Sequence, residues 1–246
     1  AIGIPYFSII ASSLIKLRGY GLAPGNFTLD NYIELFTTDR SLNAIGNSLF
    51  LAVSSACICS VLGTLAVLAV RRSKGRLGKI VEGVSMLPEM LPAIVLVIGI
   101  MLFWNAIYKV IPLYNTMGIM VLAYVVLYLP YTVQYVTSSF TQINDSLLQA
   151  GRTFGGSPFY VFRRVTLPMI SRGVLAGWMM IFIIAFRELV TASLIAPPNV
   201  LVVSTYINRE FEQGSVSLGM AMAVLCVLIT TTALFIMNTV TEREKK

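Results

Sequence analysis

Residues 149–168 read QAGRTFGGSPFYVFRRVTLP and lie between apolar runs at about 115–137 and 172–195. Read physically, the stretch is helix, break, helix, stop. Leu147, Leu148, Ala150, Gly151 and Phe154 can line one side of a short helix. Gly155-Gly156 interrupts it, and Ser157 caps a second helix with Pro158 at its first position. Phe159, Phe162 and Val165 give that second helix an apolar edge, and Leu167-Pro168 closes it. A connection from about 138 to 171 is far longer than two neighbouring helices need, so the segment has a task of its own. Spacing alone leaves two tasks open: docking on a partner, or lying as an amphipathic hairpin on the membrane surface.

Outward from this loop, the chain is apolar. Of its 246 residues, 57% are hydrophobic and only 12% charged, and the mean hydropathy is +0.81. Such a composition needs lipid as part of its solvent. Apolar segments at about 46–70, 80–104, 115–137, 172–195 and 216–239 each reach the roughly 20 residues that cross a hydrocarbon core of about 30 Å. The run from Ala1 to Ile15 is shorter and has no basic flank of the kind a signal peptide carries, so it reads as a truncated first span. The expectation is all-α: a polytopic membrane helix bundle of about six transmembrane helices, forming one domain over 1–246. Residues 16–45 read as an aqueous loop, in which Thr28-Leu29-Asp30-Asn31 can cap a short surface helix.

Basic residues give the orientation, because cytoplasmic loops near span ends retain Lys and Arg. Arg71, Arg72, Lys74, Arg76 and Lys79 fall in one loop; Arg152, Arg163, Arg164 and Arg172 in the next on that side; Arg243, Lys245 and Lys246 in the tail. These are twelve of the 18 basic residues. The long loop and both ends are therefore expected in the cytoplasm of a bacterial inner membrane. Topology and attraction to lipid headgroups account for the net charge of +7, and no basic stretch is interleaved with aromatics as a nucleic-acid partner would require.

Chemistry is excluded by what is missing. The chain has no histidine, which removes a His general base and His-based metal sites. Its three cysteines, Cys57, Cys59 and Cys226, all sit in apolar runs and read as core residues, not as a disulfide framework. Gly78-Lys79 is followed by Ile80 and lacks the correctly spaced glycine of a phosphate-binding loop. No bound cofactor and no metal site are expected in this chain.

Within the spans, Arg187 and Glu188 stand about fifteen residues beyond Arg172, and Glu89 lies between Pro88 and Pro92. Adjacent positions on a helix point in different directions, so Arg187 and Glu188 do not simply neutralise each other. Ionised groups at that depth avoid lipid and face either a pathway or a partner helix. Arg187, Glu188, Glu89, Pro88 and Pro92 are thus candidates for a pathway or gate, with a structural ion pair, an end-of-span anchor and a tolerated helix-start proline as the alternatives. Gly173 and Gly177 have the spacing of close helix packing.

The loop resembles the coupling-loop signature of binding-protein-dependent ABC importer permeases: Glu-Ala-Ala, three residues, Gly, nine residues, Ile, one residue, Leu-Pro. Gln149 stands at the glutamate, Ala150 and Gly151 at the alanines, Gly155 at the glycine, Val165 at the isoleucine, and Leu167-Pro168 at the end. Gln for Glu removes a charge, and Gly for Ala loosens the helix by roughly 1 kcal/mol. The resemblance covers the segments from about 46 to 239. It implies that the loop is a helical knob seated in a cytoplasmic ABC ATPase dimer, which holds ATP with Mg. It further implies a periplasmic or lipid-anchored solute-binding protein and a second permease half, fused or as another copy. Phe186-Arg187-Glu188-Leu189-Val190 followed by Ala196-Pro197-Pro198, and Leu87-Pro88 with Leu91-Pro92, look most like ferric-iron permeases, which usually carry two such halves in one polypeptide. Ferric iron is the cargo so implied and the chain would be the second half, while thiamine, phosphonate, polyamine and sulfate permeases share the scaffold. An ATPase-independent secondary transporter or channel is the alternative from another class, but it leaves the spaced loop unexplained.

Overall fold

The computed structural model describes residues 3–73, 75–143, 146, 147, 149, 153 and 155–243. Helices dominate: α1 Gly3–Ser13, α2 Asp30–Thr37, α3 Asp39–Arg72, α4 Arg76–Met86, α5 Ala93–Ala106 and α6 Met117–Thr141, then α7 Pro158–Phe186, α8 Val190–Ile195, α9 Val203–Glu212 and α10 Val216–Arg243. Among the described residues the only β pairing is the isolated bridge between Ile15 and Phe27. This is the polytopic all-α membrane bundle expected from the sequence.

Four helices, α3, α6, α7 and α10 (the last over Val216–Met237), are long and apolar enough to cross a membrane, and a bent pair makes up to five. Among the described residues that is four or five spans where about six were expected. The difference lies partly in α1, with 11 residues, and partly in the segment at 80–104, which reads in sequence as one apolar run long enough to cross. There α4 with its 3-10 extension Leu87–Met90 meets α5 at 109°. Prolines cause the break: Pro88 and Pro92 remove two amide donors, and Leu91, just before Pro92, is extended at φ −111°, ψ 144°, as pre-proline sterics favour.

The core is the mutual packing of α3, α6 and α7. Along α3 the buried positions are mostly small, Ala44, Ser48, Ala52, Ser55, Ala56, Cys59, Ser60 and Gly63, and recur every three or four residues. Phe50, Val53, Leu62 and Leu65 are exposed on its surface. A stripe of small residues lets helix backbones approach closely where lipid supplies no hydrophobic drive between helices. A Cβ added at Gly63 would sit 2.7 Å from Thr132 Cγ2, and one at Gly177 would sit 3.1 Å from Thr132 Cα, so α3 and α7 close on α6 at one residue. One helical turn away, a Cβ at Gly173 would strike Ser139 and the Tyr135 carbonyl. The glycine pair does the packing work read from its spacing.

At the end opposite the long loop, polar contacts tie the start of α3 to the chain before and within α9. Asn47 Nδ2 donates to the Leu201 carbonyl (2.8 Å), Val203 N–H donates to Ser48 Oγ (2.8 Å), and Arg40 pairs with the buried Glu210 (3.9 Å). The predicted aqueous loop contains α2, entered by a turn in which Asp30 N–H donates to Thr28 Oγ1 (3.0 Å). Helix α3 starts at Asp39, well before the apolar run, because its first turns stand against this polar end.

Candidate functional site

Two sites emerge, one at each level of the bundle. The first is the loop end. Gln149 is exposed, and Thr153 Oγ1 donates to its carbonyl at 3.0 Å, the i to i−4 reach of a helical turn. Leu148, Ala150, Gly151 and Phe154 lie outside the described residues. Gly155 has φ +81° and open space around it, so the break rests on the glycine's access to the left-handed region. Ser157 Oγ accepts from Tyr160 N–H at 3.2 Å with Pro158 next in line, as the cap requires. Phe159 and Tyr160 are exposed at 70% and 58%, while Val161 is buried.

The expected stop at Leu167-Pro168 is not there. Residues Pro158–Phe186 form one helix, and Val165, Leu167 and Pro168 lie inside it. A π turn at Phe162–Thr166 precedes the proline. Its physical reason is Pro168 itself: the ring has no donor and would clash with the Arg164 carbonyl in a regular α turn, and a widened turn makes room. The loop's second helix and the span are therefore one continuous rod.

The second site lies within the bundle. Arg187 and Glu188 are not in mid-helix as expected, since α7 ends at Phe186. The Glu188 carboxylate accepts from the amides of Thr191 (2.8 Å) and Ala192 (3.3 Å) and so caps α8. Capping a new helix competes with extending the old one, which explains the break. Glu188 also interacts with the Tyr124 hydroxyl and lies close to Tyr128. Tyr128 packs against Tyr124 and Tyr131, with ring centroids 5.8 and 6.3 Å apart. Tyr128 and Tyr131 then line a cavity of about 170 Å³ with Pro88, Glu89 and Pro130. On its far side Gln134 Nε2 donates to Glu89 Oε2 (2.5 Å).

The structure thus joins two carboxylates that the sequence left separate. From Tyr124 to Gln134 the column rises about 15 Å along α6. Arg187 takes a different direction, exposed and within electrostatic range of Cys226 on α10. Pro92 is exposed outside the cavity. Tyr124, Tyr128, Tyr131, Pro130 and Gln134 were missed by the sequence reading; their signal is the spacing of Tyr124, Tyr128, Tyr131 and Tyr135, which sets polar-tipped rings on one side of an otherwise apolar span.

Comparison with known proteins follows the same lines. The family described as binding-protein-dependent transport system inner membrane component matches residues 60–246. The spermidine/putrescine transport system permease protein PotC of Haemophilus influenzae is 23% identical over 240 residues, covering 98% of this chain and 91% of that one. The trehalose transport system permease protein SugB of Mycobacterium tuberculosis is 27% identical, with 91% and 83% covered. The Fe(3+)-transport system permease protein FbpB 2 of Haemophilus influenzae is 25% identical over 80% of this chain and 38% of its own length. A bacterial ABC transporter that imports alginate has the same fold, with a TM-score of 0.78 at 16% identity over 98% of this chain and 90% of that chain.

Proposed function

Because this chain belongs to the family of binding-protein-dependent transport system inner membrane components, we propose that it is the permease half of an ATP-driven importer whose loop at 138–171 receives work from a separate ABC ATPase. The observation that carries this reading is the single rod Pro158–Phe186. One end bears the exposed Phe159 and Tyr160 beside the Gly155 break; the other ends at Arg187-Glu188, beside the tyrosine column. A push on the loop tilts the rod, and tilting displaces its far end at Phe186, next to the break that carries Glu188.

In this reading Gln149, Ala150, Gly151, Gly155, Val165, Leu167 and Pro168 form the docking element and its attachment to the span. The ATPase dimer holds ATP with Mg; a solute-binding protein delivers cargo at the opposite end, and a second permease half completes the path. The loop and both ends face the cytoplasm of the bacterial inner membrane, a reading supported by the twelve basic residues on that side. Glu188, the tyrosines and Glu89 border the path, and alternating access moves the solute past them.

For cargo, two carboxylates and an aromatic column favour a cation. Ferric iron is one reading, supported by the segment at 186–198 and by the similarity to an Fe(3+) permease. A polyamine is the other, supported by the similarity to spermidine/putrescine permeases. The test is ATP hydrolysis by the complete transporter in proteoliposomes, stimulated in turn by binding proteins loaded with ferric iron, a polyamine or trehalose. Stimulation by one of the first two identifies the cargo; stimulation by the sugar-loaded protein alone overturns the cationic reading.

A further inference from the structure

Where α3 and α6 approach the loop end, they enclose with α4 a cavity of about 330 Å³ that shares Gln134 with the tyrosine column and is otherwise unused by the transport reading, a size within the usual range for small-molecule sites. Val67, Val70 and Val133 form its apolar wall. Arg71, in the last turn of α3, and Glu82, on α4, both face it. The Arg71 guanidinium is held over the Phe140 ring, 5.7 Å from its centroid. Both charged residues are exposed, and among the described residues neither forms an ion pair with the other. Opposite charges set across one cavity without touching are complementary to a molecule that carries both.

We propose that this cavity is a binding site for the headgroup of a zwitterionic phospholipid with a primary ammonium, of the phosphatidylethanolamine type. The phosphate is held by the Arg71 guanidinium, a planar donor fork suited to its oxygens. The ammonium is held by the Glu82 carboxylate. A lipid, and not a free zwitterion, is favoured by depth: the site lies within about two turns of the ends of two spans, where headgroups meet acyl chains and arginine heads reach the interface. Its valine wall suits the upper part of an acyl chain. The inference rests on the membrane fold alone and stands whether or not the cargo reading holds.

The test is native mass spectrometry of the intact transporter, released from nanodiscs holding equal parts of phosphatidylethanolamine, phosphatidylcholine and phosphatidylglycerol. The wild type is expected to retain phosphatidylethanolamine, and Arg71→Ala to lose about tenfold in its occupancy, as for the loss of a charge-assisted contact. Glu82→Gln is expected to remove the preference over phosphatidylcholine while keeping lipid bound. Arg71→Lys, which keeps the charge, is expected to retain partial occupancy and shows that loss in Arg71→Ala is not unfolding. Equal lipid retention by wild type and Arg71→Ala overturns the proposal. So does displacement of the lipid by soluble phosphoethanolamine at low millimolar concentration, which would assign the site to a free zwitterion.

Discussion

At the residue scale, Glu188 serves two purposes at once, and substitutions separate them. Its carboxylate caps α8 through two amides and faces the tyrosine column. Glu188→Gln keeps an acceptor oxygen for the cap but loses the charge, so the transporter is expected to assemble normally and carry cationic cargo poorly; uptake against assembly yield is the check. Glu188→Ala removes the cap as well and is expected to cost about 1 kcal/mol of stability besides, seen as a lower midpoint in thermal denaturation. Gly173 offers a purely structural contrast. An alanine there meets Ser139 and the Tyr135 backbone carbonyl, and Gly173→Ala is expected to destabilise the α6–α7 contact by about 1–3 kcal/mol. Adding Ser139→Gly should restore only part of this, since the carbonyl remains.

At the element scale, the π turn at Phe162–Thr166 sets the angular relation between the loop and the span. Pro168→Ala removes the reason for the widened turn. The helix is then expected to relax toward α geometry, turning the loop's aromatic edge relative to α7, with stability kept and coupling weakened. Spin-label distances between positions 160 and 180, read with ATP hydrolysis, test this: an unchanged distance would remove the proline from the account. At the opposite end, burial first, then Glu210 and Glu34, push the Tyr206 hydroxyl up to about 12, with Arg40 pulling the other way. Since the neutral phenol is the favoured form, its contribution is complete below the ordinary tyrosine range near pH 10 and is lost as pH rises toward 12. The difference in absorbance titration between wild type and Tyr206→Phe should therefore have its midpoint near pH 12.

Much of the element pattern was legible in the sequence, and the places where it was not have physical causes. The Ser157 cap, the Gly155 break and the Gly173–Gly177 packing are local, set by residue type and spacing, and they appear as expected. The continuation through Pro168 was hidden because a π turn has no spacing signal, and proline ordinarily ends a helix. The break at Arg187 was hidden because Phe186-Arg187-Glu188 carries no glycine or proline; a carboxylate side chain makes the cap three and four residues ahead. The tyrosine column depends on Glu89 and Glu188 arriving from two different elements at one side of α6, a tertiary fact that periodicity on α6 alone only half reveals.

At the scale of the whole molecule, α3 and α7 close on α6 at Thr132, and the rod Pro158–Phe186 runs from the Gly155 break to the turn that carries Glu188. The arrangement suits an element driven from one end. The measurement that tests this most directly is cargo uptake into proteoliposomes containing the complete transporter, with and without its ATPase, comparing wild type with Gly155→Asp. Uptake is expected only with ATPase and ATP, and Gly155→Asp is expected to insert normally yet lose both ATPase association and uptake. Undiminished uptake in the absence of the ATPase would contradict the account and leave a channel or secondary transporter in its place.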